Sequence, residues 1–362
     1  MIRHVFLVAG VAAAVHCAAA VALAQPVVIR GNPTCGTCII DRQLIVRIGE
    51  GDDELINGPV VTPLARDRHG RFFVNDQDDG PIKVFASDGR FSTLLGGTGD
   101  GPGESRRAAT AAIGLGDSVF VTDRSLMRGS VYGPDLKFVR SFPLPFLQSG
   151  VHSQVVDGLL VVNAQASEAT GTGFPLLALD ARGRLAKRIG PEQPRIDRSQ
   201  SELMERVLGR AGSGSGDLLV AHHFRYQWWK LSGTLDPDSE FIREASWFRG
   251  YEPPNAAPMQ MDGVSYLKAI WEDGEGLTWV ALGTIHIRYT GEGQTTERTE
   301  SSRIEVLDVK NRTVLVSVEF PDRLVSGFSD GTVVLSEVRD DGRTVLTVLR
   351  LFLRRPAARA GF

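Results

Sequence analysis

The residues with the most chemistry to offer in this 362-residue chain are its seven histidines and three cysteines. Cys35 and Cys38 stand in a Cys-Gly-Thr-Cys run. In an exported protein that spacing most simply makes a local disulfide. A redox pair would need a βαβ setting and a zinc site two further ligands close by, and the flanking sequence offers neither. His152, His222 or His223, and His286 lie in separate parts of the chain. They could share a metal ion only if the fold brings them together. No HxH or HExxH spacing supports such a site, and isolated histidines are more often structural. His222 and His223 are adjacent in an extended run and point to opposite sides of it, so they do not ligate one ion together.

A regular position marks a second set. Asp76, Asp123, Asn163 and His222 each end a five-residue, mostly apolar run: FFVND, VFVTD, LLVVN and LLVAH. Polar groups at one repeated position could ring a common mouth and hold a ligand or a metal. Alternatively each caps its strand end by bonding local backbone, a usual role of Asp and Asn. That alternative suits the aspartates better than His222, because histidine is a poorer turn-former. Arg225, Tyr226 and Tyr251 form a third set, at or near loop ends in the aromatic clusters FRYQWW (224–229) and WFRGY (247–251). Tyrosine with arginine is a typical contact composition, whereas Trp229, Trp247 and Phe248 are expected in the core. Three further motifs carry little. Gly99-Asp100-Gly101-Pro102-Gly103 lacks the strand–loop–helix setting of a phosphate loop. GSGSG at 212–216 has no serine at nucleophile-elbow spacing, and Asp78-Asp79-Gly80 is too short for a calcium loop.

What must position these residues is a repeated strand. The run FFVND returns as VFVTD, LLVVN, LLVAH, LTWVAL (277–282) and TVVLSE (332–337). Val74, Val121, Val161, Val220, Val280 and Leu335 align at intervals of 40 to 60 residues. Each copy follows a turn rich in Asp and Gly. Outer hairpins at Asp88-Gly89, Pro134-Asp135, Arg182-Gly183 and Lys310-Asn311 separate a third strand from a fourth, with a longer turn expected across Gly233 to Ser239. Asp-Gly between alternating apolar runs is a strong hairpin signal, because two-residue turns need positive φ. Four short antiparallel strands recurring at this period make the blades of a β-propeller, and six copies predict six blades. The last copy has three strands, ending with Thr344–Leu351. Leu44–Gly49 (LIVRIG) is similar to the fourth strands STLLG and AKRIG, so it is expected to complete the last blade and join the two ends of the ring.

The predicted organisation is therefore all-β. Residues 1–24 read as a signal peptide, 25–43 as a segment carrying the cysteine pair, 44–354 as a six-bladed propeller and 355–362 as a tail. The signal rests on Arg3, the Ala-rich apolar run Val5–Val21 and the small-x-small Ala22-Leu23-Ala24. An uncleaved anchor is the alternative, and no later segment is apolar enough to span a bilayer. Cleavage would put the protein in a periplasmic or extracellular space. The net charge of −3 becomes −4 without residues 1–24, far from the basic excess that a nucleic-acid surface needs.

The glycine-rich exit GTGDGPGE (97–104), together with Asp67-Arg68-His69-Gly70 and Val74-Asn75-Asp76, resembles the signature of NHL-type six-bladed propellers. More narrowly, a twin-cysteine start before six blades is similar to a group of uncharacterised exported bacterial propellers. Blade five departs, since EDGEGLTWV (272–280) looks more like periplasmic sensor propellers. The resemblance implies fold and export. Its members range from lyases, which hold zinc with histidines facing the central channel, to protein-binding modules, so it implies no single activity.

In such a ring the tight turns share one face, and His69 falls there. The other face takes the long connections 97–107, 143–152, 190–205, 249–264 and 285–302, where binding residues are expected. The polar stretch Arg288 to Ser302 reads as a recognition arm. The expected function is a monomeric, cofactor-free scaffold that binds a protein, peptide or glycan on the long-loop face, with no nucleic-acid partner. The alternative is a metal-dependent lyase or lactonase-like hydrolase with zinc or calcium in the central channel.

Overall fold

The computed structural model describes residues 25–50, 56, 60, 62–75, 80–144, 146, 148, 150–164, 172–191, 193–194, 205–212, 216–251, 262–289, 295–320 and 322–355. The expected signal segment, Asp76, and most of the loops 190–205 and 249–264 lie outside them. The described residues form six sheets of four or five strands in succession, antiparallel except for one edge strand of blade four, and these are the blades of a six-bladed β-propeller; two two-stranded sheets lie in the connections. The aligned repeat residues all fall in second strands, from Phe72–Val74 in blade one to Thr332–Val338 in blade six.

Alternation along each strand builds the ring. In the second strand of blade three, Leu159–Asn163, Leu160 and Val162 pack into the core shared with blade two. Val161 packs into the core shared with blade four. Period-two patterning thus gives every middle blade two apolar faces. The same arrangement continues around the disc. Val325, Val334 and Leu346 of blade six meet Leu64, Phe72 and Val74 of blade one in a common core.

Ile39–Ile48 pairs antiparallel with Thr344–Arg354, Ile48 opposite Leu346, and is the outermost strand of blade six. It starts at Ile39, earlier than the expected Leu44. The segment before it is held on the last strand of blade five by bonds from Thr34 and Cys35 N–H to the carbonyls of Val314 and Leu315. Cys35 and Cys38 form a disulfide there, with Cα atoms 5.3 Å apart. A second N-terminal strand was not legible: Val27–Ile29 runs parallel to Pro237–Arg243 and adds a fifth strand to blade four, with Ile29 fully buried.

Two loop expectations are corrected. Gly233 to Ser239 is not a long turn; Leu235 N–H bonds Ser232 O at 2.8 Å, and the next strand starts at Pro237. Buried Leu235 pins that turn to the core between blades three and four. Likewise 285–302 is no irregular loop. Thr278–Tyr289 pairs with Thr295–Asp308 from Thr278↔Leu307 to Tyr289↔Thr295, with one register shift between Arg288 and Tyr289, so blade five carries a hairpin arm well beyond the three- to seven-residue second strands of the other blades. A polar sequence is compatible with this, because backbone ladder bonds do not depend on side-chain hydrophobicity.

Candidate functional site

Each innermost strand starts on the long-loop face and runs to the opposite one, so six of them wall an axial channel. A cavity of about 250 Å³ lies in it, lined from all six blades. Close approach of the walls demands small residues. A Cβ on Gly209 of blade four would sit 1.7 Å from the carbonyl oxygen of Ile270 in blade five.

One wall side chain is placed by a register shift. In Ser265–Glu272, Leu267 pairs with Leu282 and Ala269 with Ala281, leaving Lys268 as the extra residue of a β-bulge. The bulge exchanges faces: Leu267 and Ile270 pack toward blade four, Ala269 and Trp271 toward blade six. Lys268 is thereby turned to the channel. Its ammonium contacts Glu300 from the arm, and Glu300 also accepts a bond from Tyr266 OH at 2.6 Å and faces Arg323 Nε at 3.6 Å. Burial, with Arg323 beside it, pushes the Lys268 ammonium down from the usual lysine range, and the Glu300 carboxylate works against them.

The repeated strand-end positions turn inward to the scaffold. Both carboxylate oxygens of Asp123 accept backbone N–H bonds, from Arg106 at 2.8 Å, Arg107 at 2.9 Å and Leu126 at 2.9 Å. Asn163, fully buried, ties blade three to blade four. Its Oδ1 accepts from Arg206 N–H at 2.6 Å, and its Nδ2 donates to Arg206 O at 3.0 Å and to His152 O. His222 Nδ1 accepts from Phe224 N–H at 3.2 Å. Burial, aided by Arg206 and Arg225, pushes the His222 imidazole down to about 2. His152 lines the channel, and burial, with His223 adding to it, pushes it down to about 3. Both are neutral at pH 7.

His286 is exposed on the arm, with Nε2 3.0 Å from Ser301 Oγ. His152, His222 and His286 do not gather; among the described residues no three His, Cys, Asp or Glu side chains group as a metal site. His223 lies against the rings of Phe224 and Tyr266, centroids 4.5 and 5.1 Å away.

Of the aromatic set only Arg225 is exposed. Tyr226 is buried and its hydroxyl donates to Glu305 Oε2 at 2.8 Å. Arg243 Nε reaches the same oxygen at 3.1 Å, so Tyr226 belongs to a buried ion-pair network between blades four and five. Tyr251 is buried against Phe224. Neither tyrosine can serve as a surface contact, because the packing of its own ring consumes it. Lys268, Glu300, Tyr266 and Arg323 went unnoticed in the sequence. The available signal was a lysine amid the apolar strand SYLKAIW, a misfit that only a bulge resolves.

No family model matches the sequence, and no curated protein matches it. Solved structures do. One is a candidate exported protein of Bacteroides fragilis, 11% identical, with a TM-score of 0.60, covering 92% of this chain and 100% of that one. Another is a DUF4221 family member from Bacteroides vulgatus, 10% identical, with a TM-score of 0.59, covering 88% and 99%. The likeness is one of fold. No helix of the described residues is long and apolar enough to cross a membrane.

Proposed function

We propose that this propeller is an exported, non-catalytic scaffold that holds a protein, peptide or glycan on its long-loop face. The observation that carries the reading is the blade-five arm, a polar hairpin that rises from that face while third-to-fourth connections at Ala86–Arg90, Gly133–Lys137 and Asp180–Arg184 are tight turns. An extended ladder on a rigid ring is a pre-organised wall, and ordering it costs little on binding. Exposed Arg225 offers a charged contact on the same face. Export is supported by the leader-like residues 1–24 and by the fold shared with a candidate exported protein. The metal-centred alternative would need a ligand set that His152, His222 and His286 do not form.

The test is to replace residues 286–299 by Asn-Gly, which keeps the Ile285↔Glu300 pair as the last of the ladder. The shortened protein should unfold like the parent and bind the peptides or glycans captured by the parent on immobilised arrays at least tenfold more weakly. Unchanged affinity overturns the reading. So does a parent protein that binds nothing on either array yet holds zinc or calcium near one per chain.

A further inference from the structure

The channel carries charge that the loop-face reading does not explain. Arg66 of blade one, Arg210 of blade four and Lys268 of blade five all line the 250 Å³ cavity, and among the described residues no carboxylate does. Arg66 and Arg210 each end their innermost strand, Ala65–Arg66 and Arg206–Arg210, so they stand at the same level, the tight-turn end. Blades one and four are three apart in a ring of six, which sets the two guanidinium groups on opposite sides of the axis.

Their existing partners leave capacity. Arg210 bonds only carbonyl oxygens, those of Val155 and Gly216, and has no ion pair among the described residues. Arg66 Nη1 reaches Asp330 at 2.9 Å and Thr332 Oγ1 at 3.3 Å, while its Nε is buried with no partner among the described residues. Both guanidinium groups are half-buried; Arg66 already has Asp330, but Arg210 faces carbonyl oxygens alone, and an anion supplied from solution would give it the counter-charge it lacks. Arginine's planar fork suits carboxylate and phosphate oxygens. Ser153, Gln154, Ser326 and Ser329 add neutral polar groups to the same wall, suited to hydroxyls. The volume is below that of ordinary drug-sized pockets, of about 300–1,000 Å³, which limits the occupant to a small molecule.

We infer that the channel binds a small hydroxylated organic dianion, its two acidic groups held by Arg66 and Arg210 across the axis, with Lys268, itself paired with Glu300, on the same wall. This site goes beyond the loop-face reading and does not depend on it. Carboxylate and phosphate share the required chemistry, and two probes separate them: tartrate, and 3-phosphoglycerate with one group of each kind.

Titration calorimetry of the full mature protein at low salt should show saturable binding of one or both, weakening as sodium chloride is raised, and none of neutral erythritol. Tartrate binding alone identifies a dicarboxylate site; 3-phosphoglycerate binding alone identifies one phosphate position. Arg66→Gln and Arg210→Gln should each weaken binding at least tenfold. If Arg210→Gln fails to fold, Arg66→Gln carries the test. The arm-shortened protein should bind as the parent does, so this site and the loop-face reading can fail separately. The inference is overturned if neither anion binds the parent, if erythritol competes, or if the folded variants bind unchanged.

Discussion

At the scale of single residues, burial decides what the histidines can do. An unfolded chain protonates histidine near pH 6.5, whereas folded His152 holds out to about 3 and His222 to about 2. Between those values the unfolded state binds more protons, so stability is complete above pH ~6.5 and declines as the pH falls. Each of the two histidines contributes a slope of up to about 1.4 kcal/mol per pH unit, set by the one proton that the unfolded chain takes up. Glu205 opposes it: burial raises its carboxyl, so the folded state takes up that proton more readily on acidification. His152→Gln should therefore flatten the fall in Tm between pH 7 and 5, measured by thermal melts across that range. An unaltered slope would show that His152 is not the buried base described. The same arithmetic makes His152 and His222 poor proton shuttles at neutral pH.

At the scale of elements, the joint between blades four and five rests on a charge. Arg243 in the outer strand Pro237–Arg243 meets Glu305 in the third strand of blade five at 3.1 Å, both almost wholly buried. Arg243 also donates to the carbonyl of Gly31 at 3.0 Å, which ties the added strand Val27–Ile29 to the same joint. Removing one partner of a buried pair strands the other, typically at a cost of about 3–5 kcal/mol. Urea unfolding of Arg243→Met should show a loss of that order, and Arg243→Met with Glu305→Leu should recover much of it. A single variant as stable as the parent would mean that solvent reaches the joint. Tyr226 shows why this network escaped the sequence. Its pattern as a loop-end tyrosine is the same whether it meets a partner protein or Glu305, which is remote in sequence but hydrogen-bonded to it in the fold.

At the scale of the whole molecule, the ring depends on its first described strands. Ile29 and Ile48 are fully buried in blades four and six, and burying each side chain is worth roughly 1.5–3 kcal/mol. A chain starting at residue 50 should lose about 3–6 kcal/mol from these two alone. It should bind a hydrophobic dye and elute as aggregates in size-exclusion chromatography, since it exposes the edge strand Thr344–Arg354. A monodisperse, cooperatively melting product would refute that dependence. By itself the sequence determined what is periodic: six strand repeats, the Asp-Gly turns, and a closing strand recognisable by its likeness to other fourth strands. Those signals are local, because alternation and turn chemistry act between near neighbours. Only the tertiary structure decided the rest. The lysine bulge, the inward engagement of Asp123 and Asn163, the burial of Tyr226 and Tyr251 and the two arginines of the channel arise between segments far apart in the chain. No local pattern records which remote groups will neutralise a charge or fill a space.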